Sequence, residues 1–153
     1  HYLIRLTRDQ PFAQLDSADD AWPRAEGRDT RAKGLKFRGY FLLPEHRRPI
    51  FGYKIGDDLQ VADYAEPNAG ALPSIIRRLR IRGNGEVWYL AAAADSITEE
   101  DGGYNIGGTM LRVSFPELEA KPVIRESGGR KELLIKLNVE GQATLKQQYE
   151  WNL

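Results

Sequence analysis

The chain has 153 residues, with 22 lysines and arginines balanced by 22 aspartates and glutamates and no cysteine. Balanced charge provides no whole-molecule field toward nucleic acid or an anionic membrane, and the missing cysteines exclude disulfides, thiolate metal sites, a cysteine nucleophile and covalently attached haem. The length suits a single domain over residues 1–153, and the longest apolar runs fall far short of the ~20 residues that cross a bilayer, so membrane insertion is not expected.

Because it starts at His1 rather than methionine, the chain reads either as a processed mature protein or as a piece of a longer one. A fragment of a larger protein is the expectation. Residues 2–6 alternate enough for a short first strand. From 7 to 34 runs a long polar segment whose apolar anchors are Phe12, Leu15, Ala21 and Trp22. Asp16 and Ser17 would cap a short helical turn stopped by Pro23, and Trp22 is expected to pin this loop to the body of the domain.

The stretch from 37 to 64 predicts an antiparallel meander with strands at 37–43, 50–55 and 59–64, separated by a polar turn around Glu45 and His46 and a tight one at Gly56-Asp57. Phe37, Gly39 and Phe41 share one face of the first strand, and Phe51, Tyr53 and Ile55 one face of the second. Phe37, Phe41, Phe51 and Tyr53, together with Trp151, are therefore the expected core aromatics.

After a loop marked by Pro67, Gly70 and Pro73, residues 75–82 form a clean strand with Ile75, Arg77, Leu79 and Ile81 on one side and Ile76, Arg78, Arg80 and Arg82 on the other. Gly83-Asn84-Gly85 signals a hairpin turn, and 86–93 returns as a strand carrying Trp88 and Tyr89 on opposite faces. Further strands are expected at 104–106, 109–114, 123–125, 131–137 and 143–151, punctuated by glycine-rich turns and by Asn138 to Gly141. About ten short strands at this spacing predict an all-β fold, an antiparallel β-sandwich or barrel-like sandwich with a long N-terminal loop.

Chemistry is sparse. Arg78, Arg80 and Arg82 recur at ~6.8 Å along one strand face. With Trp22, Trp88 and Tyr89 they form the expected ligand-binding surface, guanidinium groups gripping an acidic sugar and rings stacking on sugar faces. The competing explanation is a solvated row paired across the strand, with Glu86 available. The alternative site is metallic: if His1 is a true N-terminus, its amine and imidazole and the His46 imidazole would chelate copper in a histidine brace. Asp16, Asp19 and Asp20 lack the spacing of a calcium loop, and Glu99, Glu100 and Asp101 read as a charged loop tip rather than a hydrolytic pair. No nucleophile elbow, P-loop or dinucleotide fingerprint occurs, so a non-catalytic role is expected.

The runs FRGY at Phe37, RRPIFGY before Lys54, RRLRIRG ending at Gly83 and QQYEW ending at Trp151 resemble the β-rich domain of large exported bacterial proteins that also carry a sugar-dehydrogenase-like propeller and a cytochrome c segment. The likeness covers about Tyr2 to Trp151. It implies an exported accessory module, periplasmic or extracellular, and transfers no catalytic residues. The expected function is thus carbohydrate binding or docking of neighbouring domains, with a small copper-binding protein or oxidative enzyme as the alternative.

Overall fold

Alternating apolar and polar residues become ten antiparallel strands in the computed structural model, which describes residues 9–24, 34–42, 44–45, 48–68 and 73–151. No helix occurs among them. The strands are β1 (Phe12–Ala13), β2 (Leu35–Leu42), β3 (Pro49–Ile55), β4 (Leu59–Asn68), β5 (Ser74–Ala94), β6 (Ile97–Glu100), β7 (Gly103–Ile106), β8 (Leu111–Ser114), β9 (Val123–Ser127) and β10 (Arg130–Trp151). Their order is β2-β3-β4-β5-β10-β8-β7-β6, an open path, with β1 added to β5 and β9 to β10. The all-β, sandwich-like class is as expected.

The strands expected at 75–82 and 86–93 are one strand, β5, and those at 131–137 and 143–151 are one strand, β10. These two pair with each other from Lys131 opposite Ala94 to Glu150 opposite Ser74. Gly83-Asn84-Gly85 is therefore not a hairpin loop. The reason lies in the register: Gly83 faces Gly141 and Asn84 faces Glu140, so two turn signals sit opposite one another and bend the whole ribbon. Asn84 Oδ1 accepts a hydrogen bond from the Gly141 amide at 3.0 Å.

The bend is sharp. Residues 77 and 89 would stand roughly 40 Å apart on a straight strand, yet Arg77 Nη1 donates to the Tyr89 hydroxyl at 3.2 Å. The ribbon thus doubles back, and its two halves pack face to face, a sandwich corner made by strands that change layers. Gly83 makes room for this: its φ is +126°, and a Cβ there would lie 2.0 Å from the Asp58 carbonyl oxygen. No other residue type fits both conditions.

Inside the fold, Leu59, Val61, Leu79 and Ile81 from one half meet Tyr89, Leu133, Ile135 and Val113 from the other in one continuous core. A polar chain crosses it. Arg77 holds Asp63 through two bonds, Nε to Oδ1 at 2.9 Å and Nη2 to Oδ2 at 2.6 Å; Tyr89 OH donates to Gln147 Oε1, and Gln147 Nε2 donates to the Ala91 carbonyl at 3.1 Å. Burial raises the Tyr89 hydroxyl well above its ordinary value, so it remains a neutral donor.

The half of the ribbon beyond the bend is covered on its other face too. Trp22, Ala13, Trp88, Leu90 and Leu134 form a second apolar cluster there. Trp22 pins the segment as expected, its indole nitrogen donating to the Gln10 carbonyl at 2.9 Å. Residues 16–20 form a turn rather than a helical one, with Asp20 Oδ2 accepting from the Asp16 and Ser17 amides at 2.9 Å each. Arg125 Nη1 holds that turn in place by donating to the carbonyls of Ala18 and Asp20 at 2.6 Å each, while its Nε pairs with the buried Glu132 at 3.2 Å.

Candidate functional site

The aromatics expected at the surface are inside, and three of the five expected inside are at the surface. Trp22, Trp88 and Tyr89 are 3%, 6% and 0% exposed, so they present no platform to solvent. Trp88 lies beneath the segment that carries Trp22, and Tyr89 faces the main core. Conversely Phe37, Phe41 and Phe51 are 54%, 60% and 37% exposed, and Tyr53 and Trp151 are only partly buried against the core. Alternation sorts Phe51 and Tyr53 onto one face of β3 but fails in β2, where the bulge after Phe37 turns Phe41 to the other face; a face enters the core only where another layer covers it, and most of β2 is open to solvent.

The arginine row is where it was expected, on the outer face, but with different neighbours. Arg82 faces Gln60, Arg80 faces Ala62 and Arg78 faces Tyr64 on β4. Arg78 pairs with Glu66, Nε to Oε1 at 2.5 Å. Glu86 pairs with Lys136 at 3.2 Å instead of with the row. Among the described residues no carboxylate lies within salt-bridge distance of Arg38, Arg80 or Arg82.

Cross-strand register assembles the site. One outer-face row runs Lys36, Lys54, Gln60, Arg82. The next runs Gly39, Gly52, Ala62, Arg80. Beyond it Phe41 faces Ile50, and Tyr64 faces Arg78. Three small residues side by side make a floor, and the longer side chains of the flanking rows stand up as walls. The result is an open groove of about 640 Å³, with Arg38, Arg80, Arg82 and Gln60 on its polar side and Phe41 and Tyr64 on its aromatic side. Arg38 follows Lys36 onto the outer face by alternation, and the bulge between Phe37 and Gly39 then sets Gly39 and Phe41 on the outer face as well and Tyr40 on the inner one, so Phe37 does not share a face with Gly39 and Phe41 as expected.

The sequence reading missed three candidate residues that line the groove, Arg38, Phe41 and Tyr64, and two that continue the row of Arg82 beyond it, Lys36 and Lys54. One signal was present. Neither β2 nor β3 contains an acidic residue, so a chain of balanced charge concentrates cations on this part of the sheet.

His1 and His46, the copper ligands of the alternative reading, lie outside the described residues, as does the strand expected at 2–6. Among the described residues no three acidic or histidine side chains converge on a metal-sized site, and no helix is long and apolar enough to cross a membrane. No protein-family model and no curated protein matches the chain.

Proposed function

We propose that this is a non-catalytic accessory module of an exported bacterial multidomain protein, and that it binds an acidic carbohydrate chain in the outer-face groove of β2 to β5. The observation that carries the reading is a set of guanidinium groups, Arg80, Arg82 and Arg38, with no carboxylate within salt-bridge distance among the described residues, beside a floor of Gly39, Gly52 and Ala62, the exposed ring of Phe41 and the half-buried ring of Tyr64. Guanidinium forks suit the planar carboxylates of a uronic acid. Aromatic rings suit the apolar faces of the sugar. The floor crosses three strands, about 10 Å from Gly39 to Ala62, so the chain would lie across the strands rather than along them.

Affinity electrophoresis through a gel containing polygalacturonate tests this. Retardation of the native protein is expected to fade as salt is added. It should vanish in the double variant Arg80→Ser, Arg82→Ser and in Gly52→Leu. The latter fills the groove without harming the sheet: a Cβ on Gly52 meets the Gly39 oxygen at 3.7 Å and Arg38 Cβ at 3.8 Å, ordinary contacts. Equal retardation of all three proteins would overturn the reading. So would stronger competition by single-stranded DNA than by free oligogalacturonate.

Docking of a neighbouring domain is the second reading, favoured by the exposed rings of Phe37, Tyr40 and Phe51 on the opposite face.

A further inference from the structure

We infer that the free edge of β2 accepts an extended strand of a partner, one that alternates apolar with acidic side chains. The inference deepens the docking reading and shares only Arg38 with the carbohydrate one.

Among the described residues β2 pairs only with β3 and ends the sheet, so its other edge presents a row of backbone donors and acceptors. A strand added there continues both faces of the sheet at once, because its side chains alternate. On the inner face it would meet a shelf of rings. Phe37 lies 6.4 Å from Phe51 and 5.7 Å from Tyr53, and Tyr40 lies 6.2 Å from Phe51, centre to centre. Tyr40 is 64% exposed. By register these rings share the face that holds Val61, Leu79 and Ile81, so the shelf is core-facing sheet that extends past its cover. That side calls for apolar residues.

On the outer face the added strand would extend the row begun by Lys36 and Lys54, which face each other across β2 and β3, with Arg38 beside it. That side calls for carboxylates. Charge also decides against a second copy of this chain, since two β2 edges brought together would concentrate the Lys36 and Arg38 charges of both along one seam. The same lysine and the bulge at Arg38 guard the edge against indiscriminate pairing, which leaves an acidic strand as its fitting occupant.

The probe is a fluorescein-labelled nine-residue peptide alternating valine or phenylalanine with glutamate, followed by anisotropy against the intact chain. Saturable binding is expected, at least tenfold tighter than that of the same peptide with lysine replacing glutamate. The double variant Phe37→Ser, Tyr40→Ser should weaken it at least tenfold. Lys36→Glu with Arg38→Glu should reverse the preference between the two peptides. The Arg80→Ser, Arg82→Ser protein should keep its full peptide affinity, so loss of carbohydrate retention and loss of peptide binding are separable results. Equal affinity for both peptides, no saturable binding, or a concentration-dependent dimer that Tyr40→Ser abolishes would each overturn the inference, the last by assigning the shelf to a second copy.

Discussion

The two halves of the β5–β10 ribbon have the same backbone and different cover. Beyond the bend, from Val87 to Ala92, every residue is buried, because the main core lies on one face and the Trp22 segment on the other. Before the bend, β5 buries Leu79 and Ile81 on its inner face while Arg80 and Arg82 on the outer one are exposed, and the sheet continues through β4 and β3 to a β2 whose rings are open to solvent. The first region supplies stability. The second exposes charge and aromatic surface that stability does not require, and the proposed binding groove lies there. Fully burying an aromatic side chain contributes on the order of 2–3 kcal/mol, so a fold that leaves Phe37, Tyr40 and Phe41 outside forgoes a substantial share of what those rings offer.

The contrast breaks most severely at the bend that separates the halves. Gly83→Ala combines a positive φ with a clash against the Asp58 backbone, and a loss of about 4 kcal/mol or more is expected in chemical denaturation. A variant as stable as the native chain would mean that the ribbon does not double back there. Next comes the covered aromatic. Trp88→Ala should cost about 3–5 kcal/mol, whereas Phe41→Ala, at the open end, should stay within about 0.5 kcal/mol. Equal effects would erase the distinction between the halves.

A smaller effect is expected at Tyr89. Its hydroxyl titrates well above the ordinary value of 10.0, chiefly through burial, and that of Tyr53 is raised as well. A folded chain that holds these protons more tightly than the unfolded one is stabilised in full below pH 10, the unfolded value, and loses that contribution as pH climbs toward the folded values. Unfolding midpoints should therefore fall above pH 10. Tyr89→Phe should flatten that fall while lowering stability at neutral pH by about 1–2 kcal/mol, through the bonds to Arg77 and Gln147.

The strand content was legible in the sequence because alternation is local: β3, the start of β4, β7 and the β9 core were placed within a residue or two. Cover was not legible. Phe37 lies between Lys36 and Arg38 and Trp88 between Val87 and Tyr89, and nothing within either strand states which ring a distant segment will overlay; the contact that decides, Trp22 against Trp88, is long-range. The glycines at 83, 85 and 141 announced a change of direction correctly, but a hairpin in the plane of a sheet and a fold across it use the same residues. Only the pairing of β5 with β10 separates the two. In the candidate site, Arg80 and Arg82 were found from their spacing, whereas Gly39, Gly52 and Ala62 acquire meaning as a groove floor only when register sets them side by side.

The most direct test is an amide chemical-shift titration of the isotopically labelled chain with a galacturonate oligosaccharide. Saturable shifts are expected at Gly39, Gly52, Ala62 and the Arg80 and Arg82 positions, with the amides around Trp22 and Trp88 unmoved. Shifts confined to the Trp22 and Trp88 region, or none at all, would contradict the assignment of binding to the uncovered end of the sheet.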